Sequence, residues 1–194
     1  KSNEKLTEID NFKWQIDRFG DIKVLRYQIT GFDSLNLNQK KLLFYLSQAG
    51  LCGRDIYFDQ NYKYSLVIRR TLESIYTNYN GNRNDSNFIK FHDYLKKVWF
   101  ASSIHHHYSR DKFSPEFSKE YFISLFQNTH DSLLPIKEGE KKGQLLNLII
   151  PIIFDPQCDA KSVNKSHGVD LIAASANNYY EGLTENQVEE FYDK

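Results

Sequence analysis

Tyr64-Ser65-Leu66-Val67-Ile68-Arg69-Arg70-Thr71-Leu72-Glu73-Ser74-Ile75-Tyr76-Thr77-Asn78-Tyr79 is the stretch that decides the fold. Tyr64, Ile68, Leu72, Ile75 and Tyr79 recur at spacings of four, four, three and four, the repeat of one face of an α-helix. The run Asn80-Gly81-Asn82-Arg83-Asn84-Asp85 closes that helix with turn-forming residues. Ser86 is placed to cap a second helix, whose buried stripe would be Phe88, Phe91, Leu95 and Val98. Two successive amphipathic helices joined by a short polar turn predict a mainly α fold.

Upstream, Asn38 is a plausible cap for a helix reaching to about Gly50, with Leu42, Leu46 and Ala49 on one face. Gly50 and Gly53 are natural stops. Residues 22–29 contain Val24, Tyr27 and Ile29 in partial alternation and predict a short strand or extended arm that ends at Gly31. Residues 1–18 are polar and read as a loosely held lead-in, which leaves 19–194 as one helical segment. Downstream, Ser114-Pro115-Glu116 is expected to open a helix with Phe117, Tyr121, Phe122 and Leu125 on its apolar side, because proline is tolerated in a first turn. Residues 137–143 read as a loop, residues 145–154 as a buried helix kinked at Pro151, and residues 169–180 as a close-packed helix carrying Ala173, Ala174 and Ala176. Thr184 and Gln187 form a capping box for the last helix.

The 25 lysines and arginines balance the 25 aspartates and glutamates. A nucleic-acid or anionic-membrane partner calls for a basic excess, so neither is expected. No apolar run approaches the roughly 20 residues of a membrane span. The longest, Leu148 to Phe154, is interrupted by Pro151. Cys52 and Cys158 are too few for a disulfide framework, although one bridge stays open. Cys158 sits beside Asp155 and Asp159, whose charges raise a thiol pKa, and this argues against a cysteine nucleophile. The chain lacks methionine and begins at Lys1, so a leader or tag is expected to have preceded it.

The chemistry-bearing segment follows the second helix: Val98-Trp99-Phe100-Ala101-Ser102-Ser103-Ile104-His105-His106-His107-Tyr108-Ser109-Arg110-Asp111-Lys112-Phe113. Imidazoles and a phenol can grip a polar ligand, and they can equally form a hydrated turn. On a helix, consecutive side chains diverge by roughly 100°, so His105, His106 and His107 would not converge on one metal ion. In an extended segment only His105 and His107 share a face, and a tetrahedral site would need His92 or His130 as well. Elsewhere, Arg54 could hold a carboxylate, but an arginine beside Asp55 more often braces a loop. One of Arg69 and Arg70 is placed to bridge to Asp55 or Asp59.

An ordered set of further blocks accompanies this segment. They are Phe19 to Gln28, Gly31-Phe32, Gln39 to Gly50, Gly53 to Ile56, Asp59-Gln60-Asn61, Arg69 to Tyr76, Phe154-Asp155-Pro156 and Tyr180 to Thr184. In this order they resemble bacterial members of the dipeptidyl peptidase III family, which are two-lobed zinc exopeptidases. The resemblance spans roughly residues 19–194. It implies a helical segment of the lower lobe of a two-lobed α+β peptidase, with short peptides as substrates and a cytoplasmic setting, a periplasmic or secreted one staying open. It also implies that Tyr108 forms an aromatic wall of the substrate cleft, with His105, His106 and His107 as substrate-binding neighbours. The family's zinc motifs, H-E-x-x-G-H and E-E-x-x-A-D, have no counterpart here: no histidine precedes a glutamate, and Glu189-Glu190 continues into Phe191-Tyr192-Asp193. The zinc of the full-length enzyme, which polarises the scissile carbonyl and activates water, would belong to residues outside this chain. This chain would bind no metal, contain no catalytic residue and be inactive alone. The alternative is a stand-alone, non-catalytic helical module that binds peptides or another partner.

Overall fold

A computed structural model describes residues 12–177 and 179–193, and it is mainly helical. The chain divides into two units with the boundary at Arg54. In the first, β1 (Gln15–Phe19) and β2 (Ile22–Leu25) pair antiparallel with Phe19 opposite Ile22. Gly20 takes a φ of 55° in the two-residue turn between them, a value glycine adopts without a Cβ clash. The extended arm therefore ends at Leu25, and residues 15–18 of the expected lead-in are strand. Residues 1–11 of that lead-in lie outside the described residues.

Helix α1 (Leu37–Cys52) starts two positions earlier than expected because Asn36, not Asn38, caps it. Asn36 Oδ1 accepts from Gln39 N at 3.0 Å, and Gln39 Oε1 accepts from Asn36 N at 2.9 Å, a reciprocal box that pairs two otherwise orphaned donors. None of its residues is buried, so the face of Leu42 and Leu46 is open to solvent.

The second unit, from Asp55 on, holds α2 (Arg54–Asn61) apart from its first residue, α3 (Ser65–Asn78), α4 (Ser86–Ala101), α5 (Lys119–Asn128), α6 (Lys142–Phe154) and α7 (Glu185–Tyr192). Its core is made where the expected stripes meet. Ile68, Leu72 and Ile75 of α3 face Phe88, Phe91, Tyr94, Leu95 and Val98 of α4, and all are buried. Asp85 rather than Ser86 caps α4, accepting from Asn87 N and Phe88 N at 3.0 and 3.2 Å. Helix α5 begins at Lys119 under a Ser118 cap, later than Ser114-Pro115 suggested, and buries Phe122, Leu125 and Phe126. Helix α6 runs through Pro151 and buries Leu145, Ile149, Ile152 and Ile153.

Aromatic rings knit these helices together. Tyr79 stacks on Phe88 at 4.0 Å between centroids, and Phe117 meets Phe91 edge-on at 5.6 Å and Phe154 at 5.8 Å. Such pairs add about 0.5–1.5 kcal/mol beyond area burial. Outside the core, the Asp55 carboxylate accepts from both Arg69 and Arg70 at 2.7 Å, so the expected bridge engages both arginines. Arg70 first, then Arg69, hold the Asp55 carboxyl below its ordinary range. The Arg69 guanidinium also lies 4.6 Å from the Phe58 ring centroid, and its neighbour Glu73 accepts from Trp99 Nε1 at 2.8 Å.

Among the described residues of 169–180 the expected helix does not form. Asp170 Oδ1 accepts from the N–H groups of Ile172 and Ala173 at 3.0 and 2.8 Å, closing a local turn, and from Glu185 N at 3.1 Å. An aspartate that offers the backbone such partners competes with helix formation. The Thr184–Gln187 capping box forms as its spacing predicts and opens α7. Among the described residues no helix is long and apolar enough to cross a membrane. Phe91 lies at the centre of the core with no exposed surface. Phe91→Ala should therefore cost about 3–5 kcal/mol in urea denaturation, through lost transfer energy and a residual cavity.

Candidate functional site

Helix α4 ends at Ser102, which adopts a left-handed φ of 52° and turns the chain back toward α2. Asn61 Nδ2, at the end of α2, donates to Ser102 O at 3.3 Å. Ile104 to Phe113 then form a tight hairpin: Phe113 N donates to Ile104 O at 2.8 Å and His106 N to Asp111 O at 2.8 Å. Arg110 N closes the turn onto His106 O at 3.0 Å. The outer strand of the hairpin continues into a small ladder. Lys112 N donates to Ala160 O at 2.9 Å, Ser162 N to Arg110 O at 2.9 Å, and Asn177 N to Ser162 O at 2.8 Å. Segments far apart in sequence thus meet beside the histidines.

The three histidines occupy three different environments. His105 is buried, with 2% of its surface exposed. Its Nε2 lies 2.7 Å from Asp159 O and its Nδ1 3.3 Å from Ser103 Oγ, which in turn accepts from Ser65 Oγ at 3.2 Å. This arrangement selects the tautomer with the proton on Nε2, donating to the carbonyl. His106 Nδ1 accepts from the N–H groups of Tyr108 and Ser109 at 3.2 and 3.1 Å and so folds the turn itself. The His107 ring packs against Phe100 at 5.0 Å and Tyr108 at 4.3 Å. Tyr108 stands at the tip with 83% of its surface exposed.

Buried polar contacts anchor the base. Tyr62 Oη donates to the Asp159 carboxylate, and its ring meets His105 edge-on at 5.3 Å. Burial, and then the Asp159 carboxylate, push the Tyr62 phenol far up from its ordinary value. Lys112 Nζ caps the end of α6, donating to Ile152 O at 2.9 Å, Asp155 O at 2.5 Å and Cys158 O. Burial lowers the Lys112 ammonium. Burial first, then Asp159, raises the Cys158 thiol, so the aspartate effect read from the sequence is secondary to desolvation. Both cysteines are free thiols.

Among the described residues, every non-glycine at positive φ lies in this region: Ser102 at 52°, Arg110 at 66° and Asp159 at 49°. Each such residue costs about 1–2 kcal/mol relative to a right-handed conformation. Strain of this kind persists where surrounding contacts over-determine the backbone, and it concentrates at functional sites. Two cavities flank the hairpin. One of about 180 Å³ is bounded by Asn61, Ser103, Arg110, Ser162 and Asn177. The other, about 480 Å³, is bounded by Tyr108, Ser109, Arg110, Lys161 and Lys165.

His105, His106, His107 and Tyr108 therefore share one hairpin, but only Tyr108 is freely exposed; His105 has both nitrogens engaged within the protein. The sequence does not single out Arg110, Ser162 or Asn177, because only the ladder between residues 110, 162 and 177 brings them together, and it shows Asp159 only as a neighbour of Cys158. Among the described residues no group of three or more His, Cys, Asp or Glu side chains is arranged to hold a metal ion. The donors of this hairpin do not fit a zinc site. The chain matches no protein-family model and, at a significant level, no curated protein.

Burial holds the His105 imidazole below its ordinary 6.5, and this outweighs the opposing pull of Asp159. As pH falls through about 6.5 the unfolded chain takes up this proton before the folded one does. The stability contribution is thus intact above that pH and is lost as pH falls toward the depressed folded value. Urea denaturation at about pH 7.5 and about pH 5 should show the wild type losing stability on acidification. His105→Phe should be less stable at the higher pH and lose less between the two. An equal loss in both proteins would exclude His105 as the source.

Proposed function

We propose that this chain supplies the scaffold and one cleft wall of a dipeptidyl peptidase III-like zinc enzyme, which removes dipeptides from the N-termini of short peptides. The ordered sequence blocks support the family. The observation that carries the site assignment is the exposed Tyr108 ring on a hairpin whose root is buried at His105 and whose turn is fixed by His106. A peptide-binding wall needs a large, amphipathic contact surface on a rigid support, and loops held by a scaffold are where such groups concentrate. His106 and His107 contribute by holding and flanking that ring, and His105 by anchoring it. Zinc would enter the complete enzyme through residues other than these, and the cytoplasmic setting belongs to the same proposal.

A stand-alone binding module is the second reading. It is favoured by the open apolar surface of α1, where Leu42, Phe44, Tyr45 and Leu46 are all exposed. A reading frame that continues into H-E-x-x-G-H supports the peptidase, and one that stops after residue 194 supports the module.

The purified chain should release no dipeptide from a chromogenic substrate, with or without added zinc. In the full-length enzyme, Tyr108→Ala should weaken peptide binding by about 1–3 kcal/mol, the usual loss for a contact aromatic, and leave the melting temperature nearly unchanged. A large drop in melting temperature with unaltered kinetics would mean that Tyr108 packs the loop and does not contact substrate.

A further inference from the structure

We infer that the junction of the two hairpin cavities is an oxyanion site, in which Arg110 grips a peptide carboxylate or a phosphate group. Arg110 bounds both cavities. Its backbone is fixed on both sides, the N–H on His106 O at 3.0 Å and the carbonyl accepting from Ser162 N at 2.9 Å. Its guanidinium has no ion-pair partner among the described residues, although Arg69, Arg70 and Lys161 each have one. The turn position it occupies has a φ of 66°, where glycine or asparagine would sit with less strain. A strained arginine with a free fork is explained by what the fork binds and not by what the turn requires.

The lining of the cavities matches an anion. Neither is bounded by an aspartate or glutamate. In the smaller cavity, Asn61 and Asn177 offer amides. Ser162 lies there with only 5% of its surface exposed and its Oγ without a hydrogen-bond partner. A buried hydroxyl without a partner bears its desolvation cost uncompensated, so it points to a group that completes it. In the larger cavity, Asp111 neutralises Lys161 at 3.0 Å, which leaves Lys165 as a second cation beside Arg110. The smaller cavity, at about 180 Å³, suits a single carboxylate or phosphate head, while the larger has room for the chain attached to it. Arginine is the side chain that pairs with either head bidentately.

This inference concerns the chain alone and does not depend on zinc chemistry. The test uses the full 194-residue chain and amide NMR with inorganic phosphate, a tetrapeptide with a free C-terminus and the same peptide amidated. Phosphate, the free-acid peptide or both should shift the amides of Arg110, Ser162 and Asn177, and the amidated peptide should bind at least tenfold more weakly than the free acid where the free acid binds. A response to phosphate alone assigns the site to phosphate groups, and one to the free acid alone assigns it to peptide carboxylates. Arg110→Gly should abolish the response while keeping or raising the melting temperature, because glycine relieves the left-handed strain. Arg110→Gln, which keeps a side chain of similar reach, should also abolish it. Absence of any response in the wild type, or responses that survive both substitutions, would overturn the site. Either failure leaves the peptidase reading intact, because that reading is tested through Tyr108 and turnover.

Discussion

The hairpin depends on one buried imidazole. His105 joins the end of α4, through Ser103, to the segment after α6, through the Asp159 carbonyl. A phenylalanine of similar size would fill the space but leave Asp159 O and Ser103 Oγ without these contacts. A buried polar group that loses its partner costs more than the net worth of the bond itself, so both nitrogens must be engaged at once. That requirement fixes the ring orientation, and the orientation fixes where the chain leaves for His106. Tyr62 packs edge-on against the same ring and donates to the same Asp159, which brings the segment between α2 and α3 into the anchor.

From this anchor the local strain follows. Ser102 must reverse the chain at once after α4 if Ser103 and His105 are to reach the interior, and Asp159 must present its carbonyl and its carboxylate to two different partners. Both take left-handed conformations, which few non-glycine residues adopt and which persist where surrounding contacts over-determine the backbone. Arg110 differs. Its backbone contacts would serve a glycine equally well, so the arginine side chain is not needed by the turn.

The helical stripes were legible because periodicity is a local property. Ile68, Leu72 and Ile75, and Phe88, Phe91, Leu95 and Val98, all face the core as their spacing requires. The Thr184–Gln187 box was legible for the same reason: cap and partner lie in one turn. Start points slipped at α1 and α5, where several polar residues compete to cap and only the fold selects Asn36 and Ser118. The alanine-rich stretch near residue 173 misled because Asp170 binds its own backbone there. Alternation does not describe the histidines, since the chain turns at His106 and ends the extended geometry on which alternation rests. Nothing local to Arg110 or Ser162 announces that they are ladder neighbours, because that pairing spans the whole of α5 and α6.

The helices around the hairpin explain why a short turn can hold a fixed shape. Asp55 on α2 clasps Arg69 and Arg70 on α3, Arg69 lies beside Glu73, and Glu73 accepts a hydrogen bond from the indole N–H of Trp99 near the end of α4. Each contact is individually modest at a partly exposed surface. Together they tie α2, α3 and the last turn of α4 into one frame, and Asn61 adds a link from α2 to the Ser102 carbonyl. On the other side, Lys112 threads its ammonium into the carbonyls that end α6. A cation at a helix C-terminus meets both the unpaired carbonyls and the negative end of the dipole. The hairpin is therefore clamped at its entry by α2 and α4 and at its exit by α6. The backbone on either side of Tyr108 and Arg110 is hydrogen-bonded within the protein, the condition under which exposed groups can meet a ligand without first ordering a loop.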